Sequence, residues 1–237
     1  MTNSDRNVRA ELSGLPSIPE TALSQALLAQ LPSNQAEAPW ECHCSAVMWL
    51  GRGGRAATSV LPPALAGSPA LATVGGFVRY TDTPVGPYDE VLGMVASHTG
   101  FRPWGTVAFM SVDSPPSLVG GRTNWAMPKT LARFDGDLVS GRTITGTGDD
   151  DMAWSVSATP RVIGPAIPVK AKATARQQFS DGRVGESLLV FAGRLRAAVI
   201  TVEVSSAGTL RTWLRPGRHA GVFIESATFT LGAPRFR

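Results

Sequence analysis

From Trp40 onward the chain is written in short runs rich in Val, Thr, Phe and Trp, at 41–50, 71–80, 88–97, 104–112, 138–147, 152–159, 197–205 and 221–231. Clusters of Gly, Pro and Asp separate them, among them Gly51-Arg52-Gly53-Gly54, Pro84-Val85-Gly86-Pro87 and Gly148-Asp149-Asp150-Asp151. Such runs read as strands, because β-branched and aromatic side chains suit a half-buried pleated surface and turn formers end it. Many short strands with frequent turns imply an antiparallel barrel or sandwich. Long helices are hard to find after residue 32, and no repeat of roughly 20–50 residues is visible. The expected fold class is therefore mainly β, antiparallel, with a few short helices.

Residues 1–38 differ, being rich in Ser, Pro, Ala and Asn. Within them Pro19 to Leu31 reads as a short helix, with Ser17 and Thr21 near its start, Leu23, Leu27 and Leu28 as a narrow apolar stripe, and Pro32 as its stop. This stretch is either an arm that packs on a neighbour or a flexible tail. The expected division is an N-terminal arm, 1–38, and one β domain, 39–237. A hydrophobic content of 43 % and a charged content of 17 % provide for a sizeable core and exclude a disordered or coiled-coil chain. The net charge of +4 would suit an anionic partner, but the arginines are scattered without a basic run, so no nucleic-acid binding is expected. Met1–Ala10 carries charges and no apolar run, and no apolar stretch approaches the length of about 18 residues that a membrane span needs. Neither a secretory leader nor a membrane span is expected, and the simplest location is the cytoplasm. Cys42 and Cys44, with His43 between them, share one face of a strand and lie too close in sequence for a structural disulfide. Zinc would need further ligands from His98 and His219, so no metal or cofactor is expected.

Only three lysines stand against 19 arginines, and one of them, Lys129, sits in Trp125-Ala126-Met127-Pro128-Lys129-Thr130-Leu131. That setting is too apolar for an ordinary surface amine. A free lysine with a pKa near 10.4 is almost wholly protonated at neutral pH, whereas burial lowers the value by up to ~3–5 units. A neutral amine adds to ketones and aldehydes to give an imine, and the protonated imine draws electrons from the neighbouring carbon, so that C–C bonds break or protons leave. The plain alternative is a lysine that snorkels its charge into water. Three other features are weaker. The stretch 51–55 lacks the Lys-Ser/Thr of a phosphate loop and reads as a hairpin turn. Gly67-Ser68-Pro69 is no nucleophile elbow, and Asp149–Asp151 lacks calcium-loop spacing and reads as a solvated turn.

The stretch Gly120-Gly121-Arg122-Thr123-Asn124-Trp125-Ala126-Met127-Pro128-Lys129 resembles the signature of the acetoacetate decarboxylase family, Gly-Arg-Glu followed by three residues and then aromatic-Pro-Lys. The resemblance implies that Lys129 forms a Schiff base with a ketone substrate, without a cofactor. Tyr88-Asp89-Glu90 resembles the family's Tyr-x-Glu, which implies that the Glu90 carboxylate faces the lysine. Leu61-Pro62-Pro63-Ala64-Leu65 resembles the family's Val-Pro-x-x-Leu turn. A closed antiparallel barrel or cone and a homo-oligomer are further implications. The chain also departs from the pattern. Thr130 stands where the family often has a second lysine, which leaves desolvation to lower the Lys129 pKa. Thr123 replaces the motif glutamate, a second pocket glutamate would fall near Gly75-Gly76, and no arginine occupies the stretch near Trp40-Glu41.

The expected roles follow. Pro128 stiffens the approach to Lys129, and Glu90 exchanges protons with the carbinolamine and the substrate carbon. Arg122 either holds a substrate carboxylate or braces the loop, with bracing favoured. Tyr88, Phe77, Met94, Phe109, Trp125 and Met127 are expected as pocket walls. The leading functional expectation is a lyase that decarboxylates a 3-oxo acid through an iminium on Lys129. Its alternatives are aldol, dehydration or hydration chemistry on a larger 2-oxo acid, and a non-catalytic barrel in which Lys129 neutralises a bound carboxylate.

Overall fold

The computed structural model describes residues 11–148 and 152–236; the expectations for Met1–Ala10 and for Asp149–Asp151 lie outside this range. Side-chain alternation along four consecutive strands divides the interior. β1 (Trp40–Arg52), β2 (Ala72–Asp82), β3 (Tyr88–Thr99) and β4 (Arg102–Val112) pair antiparallel in sequence order. Residues two apart on a strand share a face. On one face Trp40, Cys42, Cys44 and Ala46 of β1 meet Val78, Tyr80, Tyr88 and Leu92. On the other, Val47 and Trp49 meet Phe77, Val91, Val95 and Phe109. Two apolar cores result, one on each side of the same sheet.

The sheet closes on itself. β5 (Lys129–Gly136), β6 (Ile144–Gly148), β7 (Trp154–Gln178), β8 (Val184–Ser206) and β9 (Gly217–Leu231) continue it, and β9 returns to pair with β1, while the short β10 (Arg235–Phe236) adds to β8. The mainly β, ring-closed architecture with short helices agrees with the expected class. Particular elements differ. β7 and β8 extend far beyond the expected 152–159 and 197–205, because Pro160 is taken into the ladder and the stretch from Gly164 to Ala166 is absorbed as an irregularity in register. The expected strand 138–147 contributes only its end, and β5 was not expected. The stretch 51–55 is not a hairpin turn: it ends β1 and begins α2 (Arg55–Thr58), with Gly53 packed too closely on the backbone of Ala70 to carry a side chain.

The N-terminal segment has a later helix than expected. Pro19–Thr21 forms a 3₁₀ turn, and α1 (Gln25–Gln30) starts after Ser24, whose hydroxyl accepts from the Leu27 amide at 3.2 Å. An N-cap of that kind satisfies one of the orphan amides of the first turn and so fixes the start. This segment packs on its own barrel: Leu12, Leu15 and Ile18 are buried, and buried Glu20 accepts from the Leu210 amide at 2.6 Å, where α4 (Leu210–Trp213) begins.

Two parallel pairings interrupt the antiparallel ring among the described strands, a single-residue contact of β4 with β7 and a longer one between β4 and β5, where Met110 pairs with Lys129. Parallel neighbours cannot be joined by a tight turn and need a crossover of a dozen or more residues. Here the crossover is α3 (Pro115–Trp125), capped by the Ser114 hydroxyl and opened by prolines, which suit a first turn that lacks amide partners. It ends at Ala126 in the left-handed conformation, φ 54°, the one non-glycine residue with positive φ among those described. Near its start β4 instead approaches β7, through Gly105 and Ala175. Gln177 spans the gap between these partners: its amide accepts from the Val107 amide (2.9 Å) and from the Thr106 hydroxyl, and donates to the carbonyls of Val107 (3.1 Å) and Ala126 (3.2 Å). Gln177→Leu should therefore lower unfolding free energy by about 1–3 kcal/mol for each backbone group left unpaired, measured by chemical denaturation; an unchanged midpoint would show the clip to be dispensable.

Candidate active site

Strand pairing delivers the acid and the crossover delivers the base. Tyr80 and Tyr88 face each other across the β2–β3 hairpin, and Glu90 follows two residues later on the same face. Lys129 opens β5 beside Met110. Its Nζ donates to Glu90 Oε2 at 2.8 Å and to Ser117 Oγ at 2.9 Å, and lies 5.1 Å from the centre of the Tyr88 ring. The other Glu90 oxygen accepts from the Tyr80 hydroxyl at 3.1 Å. Lys129 is 3 % exposed and Glu90 2 %.

Dryness alone does not set the charge of this lysine. Desolvation is the largest influence and pushes its pKa down, but the Glu90 carboxylate, followed by Tyr88, pulls it back, and the net direction is upward from 10.5. The expectation that burial leaves Lys129 neutral is overturned, because an opposite charge within hydrogen-bond reach outweighs the loss of water. The resting site is an ion pair. The stabilisation from a raised lysine pKa is fully present below 10.5 and is lost as pH rises through the higher folded value. Burial also pushes the thiols of Cys42 and Cys44 up to about 12, and that of the Tyr88 phenol likewise to about 12, with Lys129 opposing part of the latter shift. At neutral pH these groups are uncharged.

The pair forms the polar end of a cavity of about 290 Å³. Of the residues named from sequence, Tyr88, Glu90, Met94, Trp125, Met127 and Lys129 line it. Phe77 does not: it lies on the opposite face of β2, packed on Trp49 and Phe134, and Phe109 similarly meets Trp154 in the other core. Strand parity explains both corrections, since Val78 and Tyr80, not Phe77, share the face of Glu90. Arg122 lies behind the wall. Its guanidinium donates to the backbone carbonyls of Lys129 (2.6 Å), Leu12 (2.7 Å) and Thr21 (2.6 Å), so the fork that could have held a carboxylate instead ties the N-terminal segment to the start of β5. Desolvation draws its pKa down to about 9, which keeps it cationic at neutral pH. Among the described residues no three His, Cys, Asp or Glu side chains come together as a metal-ligand set.

Sequence reasoning missed Ser117, Tyr80 and Gly121. Ser114-Pro115-Pro116 was the signal for the helix that carries Ser117, one turn before Gly121. Tyr80 could have been found by folding the chain about Pro84–Pro87, which sets it opposite Tyr88. A Cβ on Gly121 would lie 2.5 Å from Lys129 Cδ, and one on Gly120 would lie 2.5 Å from the Trp40 ring. The paired glycines let the helix approach both side chains. Gly121→Ala should displace the amine and reduce Lys129 reactivity by about 10²-fold, the effect of an ångström-scale misplacement; wild-type reactivity toward a carbonyl reagent would contradict that role. Glu90→Gln removes the leading upward influence and leaves desolvation largely unopposed, so the Lys129 pKa should fall. Labelling of Lys129 by an amine reagent at pH 8 should then quicken by about tenfold per pKa unit, and unchanged labelling would refute the electrostatic assignment.

Comparison with known proteins bears on the fold and the family. The chain is similar to acetoacetate decarboxylase from Legionella pneumophila (TM-score 0.62, 16 % identity, covering 87 % of this chain and 90 % of that one). It is also similar to an acetoacetate decarboxylase-like enzyme from Sphingomonas wittichii (0.61, 16 %, 85 % and 94 %) and to the enduracididine biosynthesis enzyme MppR complexed with pyruvate (0.59, 16 %, 85 % and 91 %). At these identities the superpositions establish the fold alone. No curated protein sequence matches the chain. The family model for acetoacetate decarboxylase matches residues 31–179, a span that holds Tyr88, Glu90, Gly121, Arg122 and Lys129. The chain belongs to the acetoacetate decarboxylase family.

Proposed function

We propose that this protein is a Schiff-base lyase that decarboxylates a 3-oxo acid through an iminium on Lys129, with Glu90 as the proton carrier. The observation that supports this reading is the contact of 2.8 Å between the two side chains at the end of an apolar cavity. Lys129 passes a proton to Glu90, and the free amine adds to the ketone carbon. Glu90 returns the proton to the departing oxygen, and water leaves. Charge is conserved through these steps: an ammonium and a ketone become an iminium and water. The C–C bond to the carboxylate then breaks, its electron pair moves toward the iminium nitrogen, and carbon dioxide departs. The enamine carbon takes one proton, relayed from solvent through the Glu90 carboxylate, and water releases the product ketone.

The cavity wall favours carbon dioxide loss over the alternatives. Among the described lining residues the only cation is Lys129 itself, so a substrate carboxylate has no other charged partner, and its charge disappears as carbon dioxide leaves. Condensation chemistry is the second reading, since MppR, which shares the fold, has also been solved with a condensation product of pyruvate and imidazole 4-carboxaldehyde. Borohydride reduction in the presence of a 3-oxo acid should leave a reduced adduct of the decarboxylated ketone on Lys129, and carbon dioxide should be released when borohydride is omitted. An adduct without carbon dioxide would favour condensation, and no adduct across a panel of oxo-acids would overturn both. Lys129→Arg keeps the charge but cannot form the imine and should abolish turnover. Glu90→Gln should lower kcat by about 10²–10⁴-fold, the range for a lost general acid–base.

A further inference from the structure

The cavity continues well past the reacting pair, and its continuation is apolar. The strand ladder measures it: the row of Met48, Gly76, Leu92 and Met110 ends at Lys129, and Met94 and Val107 lie beyond that row. Glu90 and Met94 stand four residues apart on one strand, a rise of roughly 13 Å. Glu90 and Lys129 are buried, whereas Met48 and Met94 are half-buried, so the cavity is more open toward these methionines than at the reacting pair. Two features fix the character of the passage. Gly76 shares the cavity face, but a Cβ there would lie 2.2 Å from Met48 Sδ, so a thioether fills the space that a polar side chain at this position would need. Along the wall from Met48 to Met94 the described lining residues carry no charge, and a charged substituent lying there would be buried without a partner.

Resting on the imine reading above, the geometry points to a substrate whose ketone carries an unbranched apolar chain of several carbons, a medium-chain 3-oxo acid in place of acetoacetate. The carbonyl reaches Lys129 and the chain lies toward the mouth along Met48, Met94 and Val107. The carboxylate, two bonds from the carbonyl, stays beside the positive iminium. Breaking its bond to the chain gives one carbon dioxide and, after one proton is taken up, one methyl ketone. Flexible methionine side chains suit such a tail because they repack around an irregular apolar shape.

The test separates tail recognition from imine chemistry. Secondary alkan-2-ols of increasing length cannot form an imine, and their binding to the intact protein, followed by calorimetry, should tighten roughly fourfold for each added methylene until the chain passes the mouth. In parallel, borohydride trapping of 3-oxo acids from acetoacetate upward should place the adduct on Lys129 at progressively lower concentration. Met94→Phe should lower the ratio of long-chain to short-chain kcat/KM. Trapping without a gradient in either series, or a preference for acetoacetate, would overturn the tail assignment and leave the imine standing. A gradient in alcohol binding without any adduct would uphold the tail and refute the imine.

Discussion

A salt bridge taken out of water organises this protein. Lys129 and Glu90 meet at 2.8 Å with almost no solvent exposure. Two charges in such a place are costly to desolvate, and the cost is offset only where the geometry is good and the remaining hydrogen-bonding groups are met. The structure meets them. Tyr80 donates to the free Glu90 oxygen, Ser117 accepts from the amine, and the Tyr88 ring lies against it. The closed ring of strands keeps the pair dry, and the β4–α3–β5 crossover holds Lys129 at the foot of its strand. Arg122 and Gln177 secure the ends of that crossover to the N-terminal segment and to β7.

On the proposed reading, the same salt bridge also supplies the nucleophile. A desolvated amine without a partner would give up its proton to the medium. Beside Glu90 it retains the proton, and the short contact provides the route for moving it. Transfer within the pair replaces two opposite charges by two neutral groups, a change that an apolar surrounding favours far more than water does. Tyr80, Tyr88, Cys42 and Cys44, all pushed upward by burial, remain neutral around it. In the proposed reaction the amine and carboxyl are thereby the groups that exchange protons.

The fold class was legible because strand signals are local: a period of two and turn residues between runs. The meeting of Lys129 with Glu90 was legible because an amine in Trp125–Leu131 has an unusual setting and Glu90 lies in a recognisable motif. What failed depended on relations between distant segments. Phe77 was placed in the wrong core because sequence gives alternation without the origin that says which parity faces the cavity; the pairing of Tyr80 with Tyr88 supplies it. The long β7 was cut short in the reading at Pro160, which the folded ladder tolerates, and β8 runs beside it as its pairing partner. The charge of Lys129 was misjudged because apolar neighbours in sequence show burial and leave out a carboxylate brought in from another strand. Arg122 was legible as a brace, yet its partners, the carbonyls of Leu12 and Thr21, lie in a segment read as an arm or a tail.

The central claim is that the buried amine rests protonated against Glu90. With only three lysines in the chain, carbon-13 labelling of the lysine side chains gives three signals, each assignable by a single substitution. Nuclear magnetic resonance across alkaline pH then follows Lys129 directly in the unliganded protein. Its signal should remain that of an ammonium at neutral pH and titrate above 10.5, the direction the ion pair imposes. A signal already that of a free amine at pH 7 would contradict the account, because it would mean that desolvation prevails and that Glu90 does not hold the proton in place.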